Sequence, residues 1–274
     1  GIRDSVASRG LGDVYKRQVT GGGQGIGESI SRRFALEGAK VVISGRSKDK
    51  GQSLAESLGN SAVFYEADIT NETAIAASID FTVETLGKLD ILFNNAGGPV
   101  GAPLGELSQD HIDYGVKLLF SSVILGTRYA IEPMKKNGGG VIINNSSVAG
   151  LRYRQGDPLY SALKAGVTHF TRMSGVELGP FNIRVNSISP GAIATPIFYG
   201  GSARANTLSD EENEKKMEKL KNNLAKAVPL KRTGVAQDIA EGALYLASDA
   251  GQFVNCHDLV IDAGRTSMFY EPND

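Results

Sequence analysis

The chain has 274 residues, 34 of them glycine, with 41% hydrophobic and 22% charged residues and a net charge of -1 from 29 Lys+Arg against 30 Asp+Glu. The hydrophobic share excludes a disordered chain, and nine prolines without a three-residue period exclude collagen. Balanced charge without a basic block gives no support to nucleic-acid or anionic-membrane binding, and the single Cys256 excludes an intrachain disulfide framework. Three scattered histidines carry no metal-ligand spacing, and no apolar run reaches the roughly 18 residues of a membrane helix. The expectation is a cytoplasmic protein with a small-molecule partner and no metal.

Residues 1–18 begin without Met and place Arg3, Arg9, Lys16 and Arg17 directly before an apolar segment. A strand leading into a glycine loop of a parallel sheet is buried on both faces, yet Lys16, Arg17 and Gln18 occupy that place. The run 13–18 resembles the translation of a transposon-end adapter used to tag DNA for sequencing. Residues 1–18 are therefore expected to be a non-native leader that overwrote the first strand, with the domain spanning 19–274.

From Thr20 onward, β-rich runs alternate with longer helical stretches. Strands are expected at 40–44, 62–65, 89–93, 141–144, 183–187 and 258–261, seven with the altered first one, in a parallel sheet covered by helices on both faces. Ile26, Ile30 and Phe34 fall at helical spacing before a left-handed cap at Gly38, and Gly138-Gly139-Gly140 breaks a later helix. No repeat or linker divides this α/β chain, so one domain is expected. In 195–229, Met217, Leu220, Leu224 and Val228 form an apolar stripe in a charge-dense run. That pattern suits a surface helix and equally a lid over a substrate pocket.

Thr20-Gly21-Gly22-Gly23-Gln24-Gly25-Ile26-Gly27 joins the first strand to the first helix. Glycines there let backbone approach a pyrophosphate, and the helix N-terminus adds oriented N–H groups. The spacing T-G-x-x-x-G-x-G departs from G-x-G-x-x-G, a ligand-free turn would read alike, and no Gly-Lys-Ser or Gly-Lys-Thr points to a P-loop. Further on, Tyr160 and Lys164 stand at i and i+4 after Pro158, on one helix face. An ammonium roughly 5 Å from a phenol, at an effective dielectric of ~20, favours the phenolate by about 3 kcal/mol, which would tune Tyr160 toward neutral acid/base work. Ser147 ends the preceding strand segment at the sheet edge where ligands bind, its hydroxyl placed to polarise a carbonyl. A solvated helical pair would show the same Tyr-x-x-x-Lys spacing.

Together, the loop at 20–27, Asp68, Asn94-Asn95-Ala96-Gly97, Ser147, Tyr160-x-x-x-Lys164 and Pro190-Gly191 resemble the short-chain dehydrogenase/reductase family over 19–264. The resemblance implies a Rossmann-like, doubly wound seven-stranded parallel sheet in a three-layer α/β/α domain, a nicotinamide cofactor and a homotetramer. By the same resemblance, Tyr160 exchanges a proton with the substrate oxygen, Lys164 lowers its pKa and holds the nicotinamide ribose, and Ser147 orients the substrate. It also assigns Gly21, Gln24, Gly25, Ile26 and Gly27 to the pyrophosphate side, and Asp68 and Ile69 to the adenine. Asn95, Ala96 and Gly97 go to the adenosine ribose, Ile193 and Thr195 to the carboxamide, with Pro190 and Gly191 at the adjoining turn.

Where NAD-preferring members carry an acid after the second strand, this chain has Gly45 followed by Arg46. A guanidinium pairs with a 2'-phosphate, so NADP(H) is favoured over NAD(H), although Gln24 supplies no second cation. Leu119 stands where the family's proton-relay Asn is usual. Two readings follow: an NADP-preferring alcohol dehydrogenase/ketone reductase acting on CH-OH donors, or a nicotinamide-binding sensor without turnover, for which Leu119 is the only support. A hydrolase is disfavoured because no G-x-S-x-G occurs.

Overall fold

Strands and helices alternate through most of the chain in the computed structural model, which describes residues 15–100 and 102–268. Residues 1–14 of the expected leader lie outside the described residues. The elements are β1 (Lys16–Thr20), α1 (Gly25–Leu36), β2 (Lys40–Gly45), α2 (Lys48–Leu58), β3 (Ala62–Glu66), α3 (Glu72–Leu86), β4 (Ile91–Asn94) and α4 (Gln109–Val116). They continue with α5 (Ser122–Lys136), β5 (Gly140–Asn145), α6 (Pro158–Leu178), β6 (Ile183–Pro190), α7 (Gly201–Ala205), α8 (Asp210–Ala225), α9 (Ala236–Ala247) and β7 (Asp258–Ile261). All seven strands are parallel, in the order β3-β2-β1-β4-β5-β6-β7.

Side chains alternate across each strand, which divides the core in two. Val41, Ile43, Ile91, Phe93 and Ile143 pack beneath α1 and α9 with Ile30, Phe34, Ile239 and Leu246. Leu92, Ile142 and Val185 point the other way, against Ile79 of α3, Met134 of α5 and Leu178 of α6. Burial on both faces explains why these strands read as near-continuous apolar runs. Gly38, at φ +82°, ends α1 in the left-handed region expected from its place in the sequence.

The first strand, β1, begins at Lys16, three residues before the expected domain start. Arg17 pairs in register with Val41 and Ile91 and is fully buried. Its guanidinium carbon lies 4.0 Å from the Phe34 ring centre, but Nε, Nη1 and Nη2 have no hydrogen-bond partner. Burial pulls Arg17 down to about 10. Gln18 is better accommodated, donating from Nε2 to Ser78 Oγ (2.9 Å) and accepting at Oε1 from Thr82 Oγ1 (2.9 Å). β4 starts at Ile91 rather than at 89, and just before it Asp90 accepts from the Lys16 N–H through its carboxylate (2.7 Å).

Between α4 and α5, Lys117–Ser121 forms a π-helical turn that buries Leu118 and Leu119. The segment after Thr195 carries α7 and α8, with a reciprocal Ser209/Glu212 cap opening α8. Leu224 and Val228 of the expected stripe settle on Ala192, fastening this segment beside the carboxyl ends of the strands.

Candidate active site

In this strand order the chain leaves β1 toward one side of the sheet and β4 toward the other, opening a crevice at their carboxyl ends. The cleft there encloses about 220 Å³ and runs from Gly45 and Arg46, over the glycine loop, to Tyr160, Lys164 and Thr195. Glycines make up much of the loop along it. A Cβ on Gly25, at φ +56°, would meet only Thr195 Cγ2 at 3.9 Å, whereas one on Gly27 would fall 2.2 Å from Gly21 O. Gly25 thus keeps the cleft open, and Gly27 lets the loop lie directly on α1. Gln24 caps α1 without a side-chain hydrogen bond, so the first N–H groups of the helix stay available to an anion. These features fit the diphosphate of a dinucleotide.

At the far end, Gln24 Nε2 donates to Ser47 Oγ (3.2 Å), and Lys50 Nζ donates to Gln24 Oε1 (3.2 Å) and to Asn206 Oδ1 (2.6 Å). Lys50, in the first turn of α2, thus brings a further cation to Gln24 at the edge of this end, outside the lining of the cleft itself.

The near end is held by a chain of hydrogen bonds. Asn95 Nδ2 donates to Thr20 O (3.1 Å) and Gly21 O (3.3 Å), Asn145 Nδ2 donates to Asn95 Oδ1 (3.1 Å), and Lys164 Nζ donates to Asn145 O (2.6 Å). Ser146 Oγ fixes the same turn of α6 by donating to Lys164 O (2.9 Å). Asn145, the last residue of β5, links the glycine loop to Lys164, and its Oδ1 is buried with no protein donor. Its position at the strand end was the available signal. Asp157 caps α6, accepting from Tyr160 N (2.9 Å), and Pro158 opens the helix.

Tyr160 and Lys164 share a helix face, with Nζ 5.7 Å from the ring centre. The ionisation differs from expectation. Burial raises the Tyr160 phenol above its ordinary value, and the Ser147 hydroxyl facing it pulls only partly the other way. Lys164, 4% exposed, is itself pushed down to about 8 by burial. Desolvation of both groups outweighs the attraction expected between an isolated phenolate and ammonium.

Gly21, Gln24, Gly25, Ile26, Arg46, Ile69, Asn95, Ala96, Gly97, Tyr160, Lys164 and Thr195 all line the cleft. Asp68 is not among these lining residues; its Oδ1 accepts from Thr70 N (2.9 Å) and Thr70 Oγ1 (2.8 Å). Pro190, Gly191 and Ile193 line a second cavity, of about 270 Å³, together with Ser147. Tyr160 and Asn145 border both spaces, so they stand in the wall where the two meet. Leu119 lines the cleft, an apolar group in place of the expected relay amide.

Among the described residues no cluster of three or more His, Cys, Asp or Glu could hold a metal, and no helix is long and apolar enough to cross a membrane. A family model described as enoyl-(acyl carrier protein) reductase matches residues 21–266. The chain is 36% identical to a cyclopentanol dehydrogenase of Comamonas testosteroni over 257 residues, covering 91% of this chain and 96% of that one. It is 35% identical to a 3-oxoacyl-(acyl-carrier-protein) reductase of Chlamydia trachomatis over 250 residues, covering 90% and 95%. With a 7alpha-hydroxysteroid dehydrogenase of Escherichia coli the identity is 36% over 249 residues, covering 90% and 92%.

Proposed function

The chain belongs to the short-chain dehydrogenase/reductase family and is a nicotinamide-dependent oxidoreductase, and from that premise we propose that it interconverts a secondary alcohol and a ketone, preferring NADP(H). The observation that carries the reaction is the wall shared by the two cavities, where Tyr160 borders both the cleft that fits a dinucleotide and the space that holds Ser147. Two of the similar proteins are named for alicyclic secondary alcohols, which supports the same substrate class here.

When bound, the nicotinamide gives a hydride to the carbonyl carbon or takes one from the carbinol carbon. Tyr160 supplies the proton. The phenol, which burial raises further above its ordinary value near 10, is protonated at neutral pH, so the side chain stands ready to donate to a ketone oxygen, the direction of reduction. Ser147 orients that oxygen through its hydroxyl. Lys164 remains a cation below about pH 8 and stabilises the phenolate left after transfer. Its Nζ is fixed by Asn145 O, a backbone acceptor that Leu119 does not disturb. The assembled Ser147, Tyr160 and Lys164 leave the sensor reading without support.

For the cofactor, Arg46 beside Ser47 in the cleft favours the 2'-phosphate of NADP(H), and Gly45 removes the carboxylate that would repel it. A homotetramer is proposed from family membership, and the exposed Met173, Val176 and Val260 suit contacts between copies. The test is turnover of a ketone panel with NADPH and NADH at equal concentration. We expect kcat/KM at least about tenfold higher with NADPH, a gap that Arg46→Ala narrows. A preference for NADH removes the cofactor assignment, and no turnover of any ketone with either cofactor removes the reaction.

A further inference from the structure

The second cavity is apolar along most of its length, walled by Ile193, Ile197, Phe198 and Leu224, with Ser147 and Tyr160 at the reacting end. Among the described residues lining it, Arg265 is the only cation. Arg265 arrives from the turn after β7, far in sequence from every other part of the site. Its guanidinium is held from two sides: Nε donates to Gln155 Oε1, and Nη1 donates to Ala227 O (2.9 Å). Both acceptors are neutral, and Nη2 has no protein partner among the described residues.

The carboxylates at hand are committed elsewhere. Asp262 accepts from Gly264 N (2.8 Å), Thr266 N (2.7 Å) and Thr266 Oγ1 (2.7 Å), and Asp157 caps α6 through Tyr160 N. Neither forms an ion pair with Arg265. A half-buried guanidinium fixed by neutral acceptors, in a cavity that is otherwise mostly apolar, forms no ion pair among the described residues. An anion entering the cavity would give it one.

We propose that Arg265 binds a carboxylate of the substrate, which makes the natural substrate a hydroxy or oxo acid whose charge lies across an apolar frame from the reacting oxygen. This assignment rests on the alcohol/ketone reading above. One cation, with the Asp157 carboxylate on the same wall, suits a singly charged carboxylate better than a dianionic phosphate. Gln155 acts as a positioning residue that aims the guanidinium into the cavity.

The test separates recognition from turnover. Calorimetric titration of the full chain, saturated with its cofactor, compares cyclohexanecarboxylate with cyclohexanecarboxamide, matched in shape and lacking a reacting oxygen. The expected result is about 10- to 100-fold tighter binding of the carboxylate, from a charge-assisted hydrogen bond in a poorly solvated site. Arg265→Gln should bring that ratio close to one, and Arg265→Lys should retain part of it, which separates loss of charge from loss of fold. Equal binding of the two ligands by the unaltered chain, or an unchanged ratio in Arg265→Gln, would overturn the proposal. Turnover of 4-oxocyclohexanecarboxylate and its carboxamide is read in parallel: the acid should be preferred through KM. Absence of turnover with the binding preference intact would sink the alcohol/ketone reading and not the anion site.

Discussion

The two ends of the central sheet each bury a cation, and they do so with opposite results. At the amino end, Arg17 lies between aromatic rings with all three guanidinium nitrogens unpartnered. At the carboxyl end, Lys164 is nearly as enclosed, but Nζ meets Asn145 O at 2.6 Å and stands over the Tyr160 ring. Burial lowers Arg17 to about 10 and Lys164 to about 8. Each displacement corresponds to a folding cost on the order of 3 kcal/mol at neutral pH. Desolvation alone therefore does not mark a functional residue. What distinguishes Lys164 is an acceptor that aims it and an adjoining cleft in which its charge has chemistry to act on.

Removing each cation sharpens that contrast. Lys164→Met should reduce kcat/KM for ketone reduction by about 10³, through loss of the charge opposite the developing phenolate, without lowering the unfolding midpoint. A variant that stays active would break the comparison. Arg17→Met, which keeps bulk and removes the charge, should stabilise the fold by about 3 kcal/mol and raise the unfolding midpoint by roughly 6–12 °C, with kcat/KM unchanged. Thermal unfolding that shows no gain would mean that the aromatic faces of Tyr15 and Phe34 compensate the buried charge.

The pH dependence follows from the same lowered values. Lys164 binds its proton less readily in the folded chain, so its destabilising contribution is full below about pH 8 and is relieved as pH rises toward the unfolded value. Stability of the unaltered chain relative to Lys164→Met should rise by on the order of 2 kcal/mol between pH 8 and 10. Over the same range kcat/KM for reduction should fall as the cation is lost, so stability and activity move in opposite directions. Arg17 stays charged throughout and contributes no such crossing below about pH 10. The smallest effect is expected from Asn145→Ala, which removes the bond to Asn95 but keeps the backbone acceptor of Lys164. A loss of about 1 kcal/mol, or roughly fivefold in kcat/KM, is anticipated, and a hundredfold loss would show that the side chain acts directly.

Much of this arrangement was legible before the coordinates. The strands announced themselves because burial on both faces demands unbroken apolar runs, as in Val41-Val42-Ile43, and Tyr160 and Lys164 because a helix brings i and i+4 together. Asp68 is expected at the adenine, and Thr70 two positions on bonds its Oδ1, a local contact that strand position does not reveal. Pro190, Gly191 and Ile193 line the second cavity and Thr195 lines both spaces, a division that proximity along the chain does not reveal. Arg265 and Gln155 are 110 positions apart and meet only through tertiary folding, so no spacing rule could join them. The sign of the Tyr160 shift was missed for a related reason: a helix pair is local, whereas burial belongs to the whole fold.

The account depends most on Tyr160 as the group that moves the proton, and Tyr160→Phe addresses it directly. With the preferred cofactor and a ketone that the unaltered chain reduces, the variant should lose turnover by about 10³ or more while binding the cofactor with undiminished affinity. Turnover within tenfold of the unaltered chain would contradict the assignment and move the acid/base role to another group.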